Sequence, residues 1–162
     1  MNKIEIIPYT TLYEEQVFSL ILKIQNDEFG VPITISDQPD LANIPKHYQQ
    51  NNDNFWIALD GNNVIGTIAL HNIGNVQAIL KKMYVHPTYR GKNLGVAKLL
   101  FDTLCHWSKS KGIHEIYLGT TAFFIAAQKF YEHCGFYEIT KGELPISFPI
   151  TQYHAKFYKY HL

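Results

Sequence analysis

A mixed α/β fold built around a mostly antiparallel sheet is what this sequence predicts. Three β-rich runs lie close together, Phe55–Leu59, Val64–Leu70 and Gln77–Val85. The first two are joined by Asp60-Gly61-Asn62-Asn63, a hairpin signal, and the third ends at His86-Pro87. After Asn93 the apolar spacing changes from two residues to about 3.6, and helix and strand patterns then alternate.

Taken in order, Lys3–Ile7 alternates and stops at Pro8, which predicts a short first strand. Thr10 or Thr11 then caps a helix with Glu14 and Glu15 in its first turn. Val17, Leu20, Ile21 and Ile24 form its apolar face. Gly30, Pro32, Pro39 and Pro45 make Phe29–Pro45 a loop-rich stretch, followed by one helix through Gln50. The meander comes next, its third run broken at Lys81-Lys82. Ala97, Leu100, Phe101 and Leu104 predict a helix over Asn93–Lys111, stopped by Gly112. Ile113–Leu118 is a strand, and Phe123–Cys134 a helix with Ala127, Phe130 and Cys134 inward and Gly135 as its stop. Phe136–Thr140 and Ala155–Tyr160 complete the sheet, linked through Leu144-Pro145 and Phe148-Pro149.

The 162 residues fit a single domain, with no repeat or linker between Met1 and Leu162. Lys plus Arg and Asp plus Glu are 14 each, so no global field gathers nucleic acid or an anionic membrane. The start lacks the apolar stretch of a signal peptide, and no segment reaches the ~20 apolar residues of a membrane span. Cys105 and Cys134 give no disulfide framework, so a reducing cytoplasm is expected. Cys105-His106 and His133-Cys134 lack zinc spacing, and no metal is expected.

The most informative segment lies between strand and helix: Tyr89-Arg90-Gly91-Lys92-Asn93-Leu94-Gly95. Free amides and the positive end of the dipole at a helix N-terminus form an anion site. Gly91 and Gly95 allow close backbone approach, while Arg90 and Lys92 add charge. A phosphate or pyrophosphate is expected there. A P-loop is excluded because Asn93, not Ser or Thr, follows Lys92, and no G-x-G-x-x-G dinucleotide fingerprint is present. The bland alternative is a capped helix start with solvated basic residues.

Arg90-Gly91-Lys92-Asn93-Leu94-Gly95 resembles the R/Q-x-x-G-x-G/A signature of the GNAT superfamily of N-acetyltransferases at its first and last key positions, with Asn93 in place of the middle Gly. Asn tolerates left-handed angles, so the turn is expected to survive. Leu80–Pro87, the Ala127–Tyr131 register, Tyr131-Glu132-His133-Cys134-Gly135-Phe136 and the element order extend the resemblance over nearly the whole chain. It implies a six- to seven-stranded sheet with a splayed central strand pair and about four helices. It also implies an acyltransferase using acetyl-CoA as co-substrate. Met83, Tyr84 and Val85 would pair with the pantetheine arm, and Arg90 through Val96 would hold the pyrophosphate. Phe124, where relatives often carry Asn, and Ala127 would complete the cofactor contacts.

Acyl transfer to an amine needs a neutral amine, a polarised carbonyl and a protonated leaving group. The resemblance makes Tyr131 the leaving-group acid and the Val85 N–H the carbonyl donor. For the base, Ile79 stands where many relatives place Glu, and Val76–Val85 holds no carboxylate. Glu28 is the leading substitute, with His71 and His86 behind it and a base acting through water as another route. The acceptor wall is expected from Phe29–Pro45 and Leu144–Tyr153, carrying Phe29, Phe148, Tyr153 and the adjacent His154. That lining suits a small or partly apolar amine, or a peptide end, with Asp37 and Asp40 available to a cationic group. A non-catalytic acyl-CoA-binding or sensing module is the rival reading, and a homodimer is among the assemblies the sequence permits.

Overall fold

The computed structural model describes Lys3–Leu162. Its strands are β1 (Ile4–Pro8), β2 (Asn54–Asp60), β3 (Asn63–Gly74), β4 (Gln77–Val85), β5 (Glu115–Thr120), β6 (Tyr137–Ile139) and β7 (Lys156–His161). They form one seven-stranded sheet in the order β1-β2-β3-β4-β5-β7-β6. β4 and β5 pair in parallel, whereas β1–β2, β2–β3, β5–β7 and β6–β7 are antiparallel. The α-helices are α1 (Glu14–Lys23), α2 (Pro39–Ala42), α3 (Ile44–Tyr48), α4 (Val96–Ser110) and α5 (Ile125–Cys134). A mixed, mostly antiparallel sheet with helices is the expected class, and among the described residues five α-helices stand where about four were implied.

The differences lie at element ends and have local causes. Neither Thr10 nor Thr11 caps α1; a 3-10 turn over Thr11–Tyr13 comes first, with no side-chain cap bond. The helix continues past α1 as a π-helical turn, Ile24–Glu28. Pro39 and Pro45, expected to mark loop, sit in the first turns of α2 and α3, where the missing N–H costs no hydrogen bond. α4 begins at Val96 rather than Asn93, because left-handed Gly91 and Gly95 (φ 108° and 63°) keep the turn out of the helix. On α5 the buried residues are Gln128 and Tyr131, while Ala127, Phe130 and Cys134 are half-buried. The break expected at Lys81-Lys82 is a kink instead: β4 continues, but Lys82 has φ 52°.

The chain divides into two compact units, Met1–His71 with Lys81–Trp107 and Asn72–Leu80 with Ser108–Leu162. In the first, Val17 and Ile21 of α1 pack with Leu41, Ile44 and Tyr48 and with Phe55 and Ile57 of β2. Each fully buried side chain of this kind contributes about 1.5–3 kcal/mol. In the second, Ile79 and Tyr117 pack with Ile139, Phe148 and Phe157. β4 supplies residues to both units.

Candidate functional site

The turn expected to hold phosphate is built by backbone. The Gly95 N–H donates to the Gly91 carbonyl (3.2 Å), and the Gly95 carbonyl accepts the Leu99 N–H (2.9 Å). The amides of Val96 and Ala97 therefore precede the first repeating bond of α4, the position where a helix offers donors to an anion. At Gly91 an added Cβ would meet nothing within 4 Å, so its glycine answers to φ alone. Asn93 keeps a negative φ, so the left-handed tolerance expected of it is not used. Gly66 of β3 brings the helix in: a Cβ there would lie 3.0 Å from Leu100 Cδ1 and 3.2 Å from the Tyr84 carbonyl oxygen.

The strand feeding this turn faces β3 on one side, and on the other its registered ladder stops at Ile79. The His86 N–H donates to the Ile65 carbonyl (2.8 Å), and the Thr67 hydroxyl donates to the Lys82 carbonyl (2.7 Å), so these groups face β3. Strand alternation turns the N–H and C=O of Met83 and Val85 the other way. The registered ladder with β5 covers Gln77–Ile79 alone, so it does not use those groups. Tyr84 points its side chain elsewhere: its hydroxyl accepts from Gln25 Nε2 (3.0 Å), its ring lies against Phe29, and burial pushes its phenol up to about 12.

Arg90 and Glu28 are brought together in a manner the sequence did not indicate. Arg90 Nη1 and Nη2 donate to Glu28 Oε1 and Oε2 (2.6 and 2.8 Å), and Nε donates to the Val85 carbonyl (2.8 Å). The guanidinium expected to face phosphate is thus braced between the end of the π-helical turn and the end of β4. Glu28, expected as the base, has both oxygens engaged. His86 acts as a local cap, its Nδ1 accepting the Thr88 N–H (3.2 Å). His71 is held by Asp53 (Nδ1 to Oδ2, 2.8 Å); the Asp53 carboxylate is buried, whereas the His71 side chain is 42% exposed.

A polar cluster lies beside β4. Lys82 Nζ reaches Asp40 Oδ2 (3.2 Å) and Gln38 Oε1 (3.3 Å), and the Tyr48 hydroxyl donates to Asp40 (2.5 Å). Gln25 and Gln38 exchange amide bonds of 2.9 and 3.0 Å. Burial pushes the Asp40 carboxyl up, but Lys82, the Tyr48 hydroxyl and Lys81 together hold it below the usual range. Asp37 closes a capping box with Thr34 (2.9 Å). Asp37 and Asp40, expected to be available to a cationic group, are both engaged within the chain.

In the second unit Tyr131 is buried, its ring 5.7 Å from that of Phe136 and 6.3 Å from that of Tyr158. Phe124 is the N-cap residue of α5, and its carbonyl accepts the Gln128 N–H (3.0 Å). His154 covers Gly119, where a Cβ would lie 2.9 Å from its ring, and it packs with Phe148 and Phe157. A groove of about 440 Å³ in this unit is lined by residues of Glu138–Lys141 and Ile150–Phe157, and none of the turn residues borders it.

Comparison with known proteins settles the family. The model of the acetyltransferase (GNAT) family matches residues 18–136. The chain belongs to that family. An acetyltransferase of the GNAT family from Staphylococcus aureus Mu50 superposes with a TM-score of 0.93 at 42% identity, over 98% of this chain and 99% of that one. An acetyltransferase from Streptococcus agalactiae gives 0.94 at 30% identity, with all of both chains covered. The N-acetylaspartate synthetase of Xenopus tropicalis is 35% identical over 99 residues, 60% of this chain and 36% of that protein. The chain thus spans about a third of the length of that curated relative.

For a GNAT chain, the missed elements are Gln25, Gln38, Tyr48 and the Arg90–Glu28 brace. The amphipathic pattern marked where α1 runs, but a pair such as Gln25 and Gln38 leaves no periodic trace. Among the described residues, no group of three or more His, Cys, Asp or Glu is placed to hold a metal, and no helix is long and apolar enough to cross a membrane.

Proposed function

We propose that this GNAT chain moves an acetyl group from acetyl-CoA to the amine of a small molecule or peptide by direct attack. The observation that carries the reading is a strand with outward amides at Met83 and Val85 running into a helix start whose glycines are left-handed. In this reading the pantetheine arm adds to Met83–Val85 as an extra strand. The Val85 N–H holds the thioester oxygen, and the backbone of Gly91 through Val96, with Lys92 at its side, holds the pyrophosphate. Arg90 acts as a positioning residue, because its donors brace the turn against Glu28 and Val85. Phe124 and Ala127 keep their cofactor role on the family resemblance.

The neutral amine forms the N–C bond, and collapse of the tetrahedral intermediate breaks the C–S bond. Tyr131 protonates the departing thiolate, a role that rests on its register before Gly135-Phe136. The proton lost from nitrogen goes to a base. With Glu28 engaged by Arg90, His71 is the better candidate, since buried Asp53 orients one ring nitrogen and the half-exposed ring leaves the other to accept. Cys105 and Cys134 form no disulfide, which fits a cytoplasmic setting.

The test is CoA release over an amine panel. Amine-stimulated release supports the transferase, whereas release indifferent to every amine supports the binding module. Tyr131→Phe is expected to lower kcat by roughly 100-fold with acetyl-CoA affinity unchanged, and an unaltered kcat would overturn its assignment. His71→Asn is expected to change the shape of the pH–rate profile while Glu28→Gln leaves it in place; the reverse result returns the role to Glu28.

A further inference from the structure

Lys81 stands apart from every other charged group in the polar cluster beside β4. Lys82 is neutralised by Asp40, and Asp53 is engaged by His71. Lys81 has a different environment: its Nζ lies 5.7 Å from the centre of the Tyr48 ring, and among the described residues no carboxylate is within ion-pair distance of it. It is half-buried, and burial, with Lys82 adding repulsion, pulls its ammonium below the ordinary lysine value against the opposing pull of Asp40 and Asp53. A desolvated cation with no carboxylate in direct contact carries a cost that a bound anion would reduce.

Its place on the strand says which anion. Adjacent strand residues normally face opposite ways. The left-handed Lys82 (φ 52°) breaks that alternation, so both Lys81 and Lys82 address the Asp40–Tyr48 pair. Lys81 is two residues from Met83, about 7 Å along the strand. Met83 begins the segment assigned above to the thioester arm, and the following inference rests on that assignment. The attacked carbonyl is assigned to the Val85 N–H, about 13 Å from Lys81 along the strand. An amine attacking it would need a substituent several bonds away, such as a side-chain or peptide carboxylate, to meet the Lys81 side chain. The Tyr48 ring beneath it and the paired Lys82 beside it leave one cation to be answered, which suits a single carboxylate.

We infer that the acceptor is an amine bearing a carboxylate, an amino acid or a peptide with a nearby acidic group, and that Lys81 recognises that carboxylate. The charge-assisted bond replaces the weak contact with the Tyr48 face. Asp37 and Asp40, being engaged, offer nothing to a polycationic acceptor.

The experiment compares kcat/KM for L-aspartate, L-glutamate and L-phenylalanine with that for the matching carboxamides and for spermidine. Wild type, Lys81→Met and Lys81→Arg are each measured, together with acetyl-CoA affinity. Wild type is expected to prefer one or more of the acids over its amide by at least tenfold. Lys81→Met should abolish that preference through KM, with kcat on the amides and acetyl-CoA affinity unchanged, and Lys81→Arg should restore part of it. Equal or better use of amides or spermidine by wild type overturns the inference and leaves the transferase reading standing. So does a preference that survives in Lys81→Met. Absence of transfer to every amine tested overturns the transferase reading and this inference with it. A Lys81→Met protein that does not fold shifts the decision to the wild-type acid-to-amide ratio and to Lys81→Arg, which must keep the preference.

Discussion

The glycine turn before α4 and the polar cluster at Lys81 and Lys82 lie within one strand's length of each other, yet they are made of different atoms. The turn presents main-chain amides, positioned by Gly91 and Gly95 and by the close approach of α4 at Gly66. The cluster presents side chains collected from the π-helical turn, α2, α3 and β4. A backbone site needs few particular residues and tolerates change at the rest. A side-chain site depends on each member, because removing one leaves its partners buried and unanswered.

Four substitutions test the difference between the two. The largest effect is expected from Gly91→Val, which forces a β-branched residue to φ 108°. Strain of about 1–3 kcal/mol at such a position corresponds to roughly a ten- to hundredfold loss of acetyl-CoA affinity if it is relieved by reshaping the turn, as calorimetric titration would read. Next comes Arg90→Ala, which removes the brace to Glu28 and Val85. The pair is partly exposed, so a loss of about tenfold or less in acetyl-CoA affinity is expected in the same assay. Asp40→Asn should act on the cluster alone. The Asp40 carboxyl is held below its ordinary value in the fold, so its contribution to stability is present above about pH 4 and fades as pH falls through the folded value. Acid unfolding followed by fluorescence should therefore show a shallower decline in the variant, with acetyl-CoA affinity near wild type at neutral pH. The smallest effect belongs to Asn93→Gly. Asn93 does not use a left-handed angle, so affinity should change less than twofold, and a large gain would mean that the turn is strained at that point.

The same contrast explains what could be read from the sequence. Gly91, Gly95 and the strand before them are local features, and their residue types announce the angles they adopt. The meander of β2, β3 and β4 and the order of elements along the chain followed from the hairpin turn and the change of apolar period, whereas the parallel β4–β5 pair and the place of β7 between β5 and β6 did not. The cluster and the brace of the turn leave no local trace because their bonds join distant positions: Lys82 and Gln38 of the cluster lie 44 residues apart, and Arg90 and Glu28 of the brace lie 62 apart. Glutamines and lysines at such spacing look like solvated surface until the fold collects them. The place of Glu28 in the chain marks it as a candidate, but nothing local marks Arg90 as its partner, and the partner changes the role it can take. Pro39 and Pro45 misled for another reason, since proline both ends helices and begins them.

The left-handed Lys82, with its carbonyl taken by Thr67, works as a local phase shift in β4. Upstream of Met83 it lets neighbouring side chains face the same compartment, while the outward amides of Met83 and Val85 keep their own rhythm. If the proposed roles hold, acceptor recognition and cofactor binding use separate stretches of one strand, and a change at Lys81 leaves the amides of Met83 and Val85 in place.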